Sequence, residues 1–166
     1  YRQLIYEKHY QTGCIGAHFT INFHGKECTC GNIVCVKSEA SSGALGDLVR
    51  QHQLFSEKYK EGEQLPDFKR LFELYENKDP LAEDVINHCL NAWSAGIISL
   101  IHSYDPEIVI VGGGVMESSK HILPFIQQKI DKHAWTPREK VKVTKAENIN
   151  TSALLGLDYL LSTQQH

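Results

Sequence analysis

A chain of 166 residues, 42% hydrophobic and 22% charged, holds enough apolar material for one globular domain with a sizeable core. Its formal net charge of −3 excludes a nucleic-acid-binding surface spread over the whole chain, which would bring a clear basic excess. No apolar run is long enough to span a bilayer; the most apolar, residues 95–101, is interrupted by Gly96 and Ser99 and followed by His102.

Residues 16–23 alternate and predict a strand with Phe19, Ile21 and Phe23 on one face. His24-Gly25-Lys26 is a turn, and residues 26–36 form an irregular loop that holds most of the cysteines. A Ser-rich start and the spacing of Ala44, Leu45, Leu48 and Val49 predict a helix over 38–52. Residues 56–66 are polar and read as a surface loop, and Phe68, Leu71, Phe72 and Tyr75 predict a helix over 67–77. Asp79-Pro80 supplies an N-cap and a first helical residue for a long helix that runs to about His102 and must stop before Pro106. The run Glu107 to Val111, bounded by Gly112-Gly113-Gly114, predicts a buried, parallel strand. A helix over 118–132, a strand over 141–143 and a last helix over 152–161 complete an α/β order with right-handed crossovers. Cys89, Trp93 and Trp135 read as packing residues, and His88, His102, His121 and His133 as surface or satisfied core residues.

Five cysteines, with Cys28, Cys30 and Cys35 inside one stretch of eight residues, do not make a disulfide framework. Thiolates gathered on a metal in a reducing compartment fit better. Zinc in a structural site takes four thiolate or imidazole ligands, so a fourth ligand is required; His18, His24 and Cys14 are the candidates. The competing reading is three buried, unliganded thiols. The turn Gly112-Gly113-Gly114, between a strand and a helix, is the other candidate site, because glycines let backbone N–H groups approach a nucleotide.

The stretch from Gly13 to His18, followed by Cys28-Thr29-Cys30-Gly31-Asn32 and Cys35, resembles the ROK family of bacterial sugar kinases and sugar-responsive repressors. The family pattern is G-E-I-G-H and, ten residues on, C-x-C-G-N-x-G-C-x-E. The segment Asp105-Pro106-Glu107-Ile108-Val109-Ile110-Val111-Gly112-Gly113-Gly114-Val115 is similar to its D-P-E-x-I-V-L-G-G-G-V. Ser152-Ala153-Leu154-Leu155-Gly156 is similar to its A-G-L-L-G.

The resemblance implies that His18, Cys28, Cys30 and Cys35 bind structural zinc, with His18 chosen as fourth ligand over His24. It implies an actin-like (ribonuclease H-like) ATPase fold, of which residues 1–166 would be the C-terminal lobe, with a zinc loop at 18–37 and an α/β core at 80–166. The N-terminal lobe, with its phosphate loop and general-base Asp, would lie outside the chain. The absence of Met at position 1 suits a fragment or a trimmed product, and the start shows no signal peptide. The implied function is ATP- and Mg²⁺-dependent phosphorylation of a hexose or N-acetylhexosamine, with Gly112, Gly113 and Gly114 lining the ATP side of the cleft. The alternatives are the sugar-binding effector domain of a transcriptional repressor, or a zinc-stabilised dimerisation module. The implied partners are a small sugar, a nucleotide and a second copy of the chain, with nucleic acid met only through a domain outside it. The expected compartment is the cytoplasm.

Two family positions that grip sugar hydroxyls with glutamate are occupied here by Ile15 (or Cys14, with a one-residue gap) and Lys37. None of these side chains offers a carboxylate to a hydroxyl. Glu39 is the nearest carboxylate, the resemblance implies that His18 would keep a sugar contact through the ring nitrogen away from zinc, and Val34 stands where the family has glycine.

Overall fold

In the computed structural model, residues 16–22, 24–137, 139–147 and 151–163 are described. They form, in chain order, α1 (Val36–Ala40), α2 (Ser42–Gln51), α3 (Phe55–Lys58), α4 (Phe68–Glu76), α5 (Pro80–Tyr104), β1 (Ile108–Val111), α6 (Ser119–His133), β2 (Lys142–Lys145) and α7 (Ser152–Thr163), with short 3-10 turns at Gly16–His18 and Gly114–Ser118.

Local chemistry explains the longest element. The Asp79 carboxylate accepts the Ala82 N–H at 3.1 Å, and Pro80 takes the first helical position, where a missing N–H costs nothing. At the other end Asp105 turns left-handed (φ 46°, ψ 54°), donating its N–H to the Ile101 carbonyl, and Pro106 prevents continuation. Between these caps α5 buries Leu81, Val85, Ile86, Cys89 and Leu90, and it packs against α1, α2, α4 and α6. It is the axis of the core. Desolvation in that core pushes the Cys89 thiol up to about 12, which agrees with the packing role read from its place on the apolar stripe.

β1 and β2 pair in parallel, Val109 opposite Val143, with α6 as the crossover. The outer edge of β2 is covered by one side chain: the Gln127 amide donates to the Val141 carbonyl at 3.0 Å and accepts the Val143 N–H at 2.8 Å. A side-chain amide thus stands in for a neighbouring strand.

Five expectations need correction. Trp135, read as a packing residue, is 78% exposed. Residues 16–18 form a 3-10 turn rather than the start of a strand, and the extended part shrinks to a bridge between Thr20 and Cys35; Phe23 lies outside the described residues. The helix read over 38–52 is two helices, because Ser41 is extended (φ −90°, ψ 164°) and turns the chain between α1 and α2. Residues 55–58, at the edge of the loop read over 56–66, form the single turn α3. β1 is not buried: Ile108 is 46% and Ile110 63% exposed, since the face opposite α6 has no cover among the described residues.

Candidate functional site

The cysteine loop is a small irregular hairpin. Residue 21 donates its N–H to the Val34 carbonyl, Val36 donates to that of Phe19, and Glu27 bridges Ile33. The tip is a tight turn in which Gly31 donates to the Cys28 carbonyl at 2.9 Å and Cys28 to that of Asn32 at 2.8 Å. Gly31 sits at φ 85°, which glycine adopts without a Cβ penalty. Cys28 and Cys30 therefore lie on the turn, Cys35 at the entry to α1, and His18 at the end of the first 3-10 turn.

These four residues converge. Their ligand atoms all lie within 4.8 Å of one another. Cys30 Sγ is 3.6 Å from Cys35 Sγ, and Cys28 Sγ is 3.6 Å from His18 Nδ1. A tetrahedral zinc with ordinary Zn–S and Zn–N bonds has edges of about 3.5–3.8 Å. The donor set and its spacing thus suit a four-coordinate, closed metal centre. His24 is outside the cluster, its backbone N–H bonded to the Asn22 side chain, and Cys14 lies outside the described residues.

The charges in the cluster point the same way. The Cys30 N–H aimed at the Cys28 sulfur, helped by the neighbouring thiols and His18, draws the Cys28 thiol down to about 6. Burial, then the neighbouring thiols, pushes Cys35 up to about 12. One thiolate is tolerated at neutral pH; ionising Cys35 as well calls for a cation.

Around the ligands sits a polar frame that the sequence motifs did not single out. The Asn32 amide donates to the His18 carbonyl at 3.0 Å, and its oxygen accepts from the Ile33 N–H at 2.8 Å and the Thr20 hydroxyl at 3.1 Å. The one sequence signal for this frame is that Asn32 belongs to the same motif as the cysteines. The Lys37 ammonium donates to the Thr29 hydroxyl at 3.3 Å. Glu39 is turned towards α5, its Oε2 3.0 Å from His88 Nε2, and so is already engaged as an ion-pair or hydrogen-bond partner.

The glycine turn lies at the C-terminal end of β1. Gly113 has φ 99°, and Met116 donates its N–H back to the Gly113 carbonyl at 3.0 Å. A Cβ at Gly113 or Gly114 would meet nothing within 4 Å, so the turn faces open space. That space is a groove of about 1440 Å³ walled by α2, α4, α5 and α6, and Gly112 and Gly114 share it with Gly16 and Ala17, next to His18. It exceeds what one small ligand fills. The glycine turn thus opens onto this groove, and none of His18, Cys28, Cys30 and Cys35 is among the residues that line it.

A family model described as the ROK family matches residues 7–164. The chain belongs to the ROK family. A glucokinase of Thermotoga maritima is 25% identical over 118 residues, covering 68% of this chain and 37% of the relative. The DNA-binding transcriptional dual regulator NagC of Escherichia coli is 26% identical over 140 residues, covering 82% and 34%. Among solved structures, the ROK hexokinase from Thermus thermophilus superposes with a TM-score of 0.68 at 24% identity, over 92% of this chain and 49% of that one. A ROK glucokinase from Streptomyces griseus, solved with glucose and AMPPNP, gives 0.69 at 24% identity over 87% and 50%. The chain thus spans between a third and a half of these relatives, and it shares its α/β fold with ROK sugar kinases. Among the described residues no helix is long and apolar enough to cross a membrane.

Proposed function

We propose that this chain is the C-terminal lobe of a two-lobed, actin-like ROK sugar kinase, in which His18, Cys28, Cys30 and Cys35 hold structural zinc and the groove under Gly112–Gly114 receives ATP. The whole protein would transfer the γ-phosphoryl group of ATP to a hydroxyl of a hexose or N-acetylhexosamine in the cytoplasm. The observation that carries the reading is that His18, Cys28, Cys30 and Cys35 converge in one cluster, in a chain whose glycine turn lines a large groove.

Each group in this chain has a definable task. With Nδ1 of His18 turned towards Cys28, its Nε2 is left for a sugar hydroxyl, and the metal would fix the ring. The turn at Gly113 brings backbone close to a triphosphate without side-chain bulk. Mg²⁺, carried with ATP, would neutralise charge on the transferred phosphoryl group. The general base would come from the other lobe.

A second reading is favoured by one feature: the expected sugar carboxylates are not in place. Lys37 is bonded to Thr29 and Glu39 to His88. A lobe of this kind suits a non-catalytic effector domain, as in a ROK repressor whose DNA contacts lie in a separate domain. Phosphorylation assays on the complete protein, with ATP, Mg²⁺ and a panel of hexoses and N-acetylhexosamines, separate the two. The kinase reading expects turnover of at least one sugar; sugar binding by calorimetry without turnover selects the effector reading.

A further inference from the structure

We infer that Asn32 is a positioning residue of the metal centre, which holds His18 in place as the imidazole ligand. The inference rests on the metal-centre reading above. Asn32 is not itself a ligand: its side chain spans the two segments that supply ligands, linking the His18 carbonyl to the cysteine turn.

Two donors reach the His18 carbonyl: the Asn32 amide at 3.0 Å and the Cys35 thiol at 3.5 Å. Cys35 belongs to the ligand cluster itself, so of the two the Asn32 amide is the one whose side chain is free to hold the His18 backbone. The amide is aimed by its own oxygen, fixed by the Ile33 N–H and the Thr20 hydroxyl. Outer partners of metal-bound histidines act in this way on ring orientation.

Cobalt(II) titration of the reduced chain reads the effect, because its visible bands report how many sulfur and nitrogen ligands the ion has. Asn32→Asp keeps both acceptor functions and removes only the donor; its added negative charge would by itself favour a cation, so weakening reports lost positioning. The expected result is cobalt and zinc affinity lowered about tenfold or more, with bands shifted towards those of His18→Ala. In the doubly substituted H18A/N32D chain, affinity is expected to fall no further than in H18A alone. Wild-type affinity and bands in N32D, or losses that multiply in the double variant, overturn the inference. Failure of the unsubstituted chain to bind either ion overturns the metal-centre reading itself. If N32D does not fold, Thr20→Val removes one orienting bond: about threefold weakening is expected, absent from the H18A background, and an unchanged affinity overturns the inference.

Discussion

At Cys28 and Cys35 the same side chain meets opposite environments seven residues apart in the loop, one drawn down to about 6 and one pushed up to about 12. At the proposed metal centre this would set the pH dependence of metal uptake. Binding needs thiolates, so every thiol still protonated must release its proton. Cys35 is protonated throughout pH 6–8 and contributes one proton per ion, so affinity rises with pH across that window. Below about 6 Cys28 is protonated as well, and the dependence is expected to steepen by one proton. Competition with a chromophoric chelator at pH 5.5 and 7.5 checks both the sign and the change of slope. A pH-independent affinity would show that these thiols do not bind the ion.

Val34 is the other telling residue. It is 2% exposed and sits at φ 43°, where β-branched side chains are strained. Its N–H and carbonyl are both engaged, with Lys26 and residue 21, so the hairpin holds the backbone there. The buried isopropyl group offsets the strain. Replacement by glycine relieves strain and loses burial, two terms of similar size, about 1–3 kcal/mol each. Replacement by alanine loses the burial and keeps most of the strain. V34A is therefore expected to be less stable than V34G by about 1 kcal/mol, a reversal of the usual order that denaturant titration of the two variants would detect.

Between elements, the approach of α1 to α5 depends on Gly96. A Cβ there would stand 2.7 Å from Val36 Cγ2, and Trp93, one turn earlier, donates its indole N–H to the Ala40 carbonyl at 2.9 Å. G96A gains helix propensity of about 1 kcal/mol but must push α1 away, at a cost of about 1–3 kcal/mol. Net destabilisation is expected. Because α1 begins just after Cys35 of the proposed metal centre, zinc affinity is expected to fall too, and Val36→Ala in the same chain to restore part of both; thermal melts with and without chelator measure them.

The same elements show what could be read from the sequence. The ends of α5 are written in neighbouring residues, Asp79-Pro80 and Asp105-Pro106, and were legible. The convergence of His18 with the three cysteines was legible because metal ligands carry their own chemistry and the family motif set their spacing. The break at Ser41, the engagement of Glu39 by His88 and the Asn32 frame were not, because each depends on a partner elsewhere in the chain. β1 misled for the opposite reason: an apolar run predicts burial, but what would bury Ile108 and Ile110 is not among the described residues.

That last point holds for the whole molecule. Helix α7 carries Leu154, Leu157 and Leu161 at 67%, 56% and 68% exposure, and their spacing puts them along one face. Together with Ile108 and Ile110 they are apolar surface of a kind that marks interaction sites. In a protein spanning a third to a half of its relatives, such surface suits contact with the remainder of a longer chain. The isolated 166-residue chain has only itself to offer, so it is expected to self-associate as its concentration rises. Light scattering should give a mass above the 18.8 kDa of one chain. Leu154, Leu157 and Leu161 replaced together by lysine should return it to one chain without altering zinc content, since none of them belongs to the cluster of His18 and the cysteines. A chain that stays monomeric at high concentration before substitution would show that these leucines are too dispersed to act as one surface. Loss of zinc on substitution would show instead that α7 supports the metal loop.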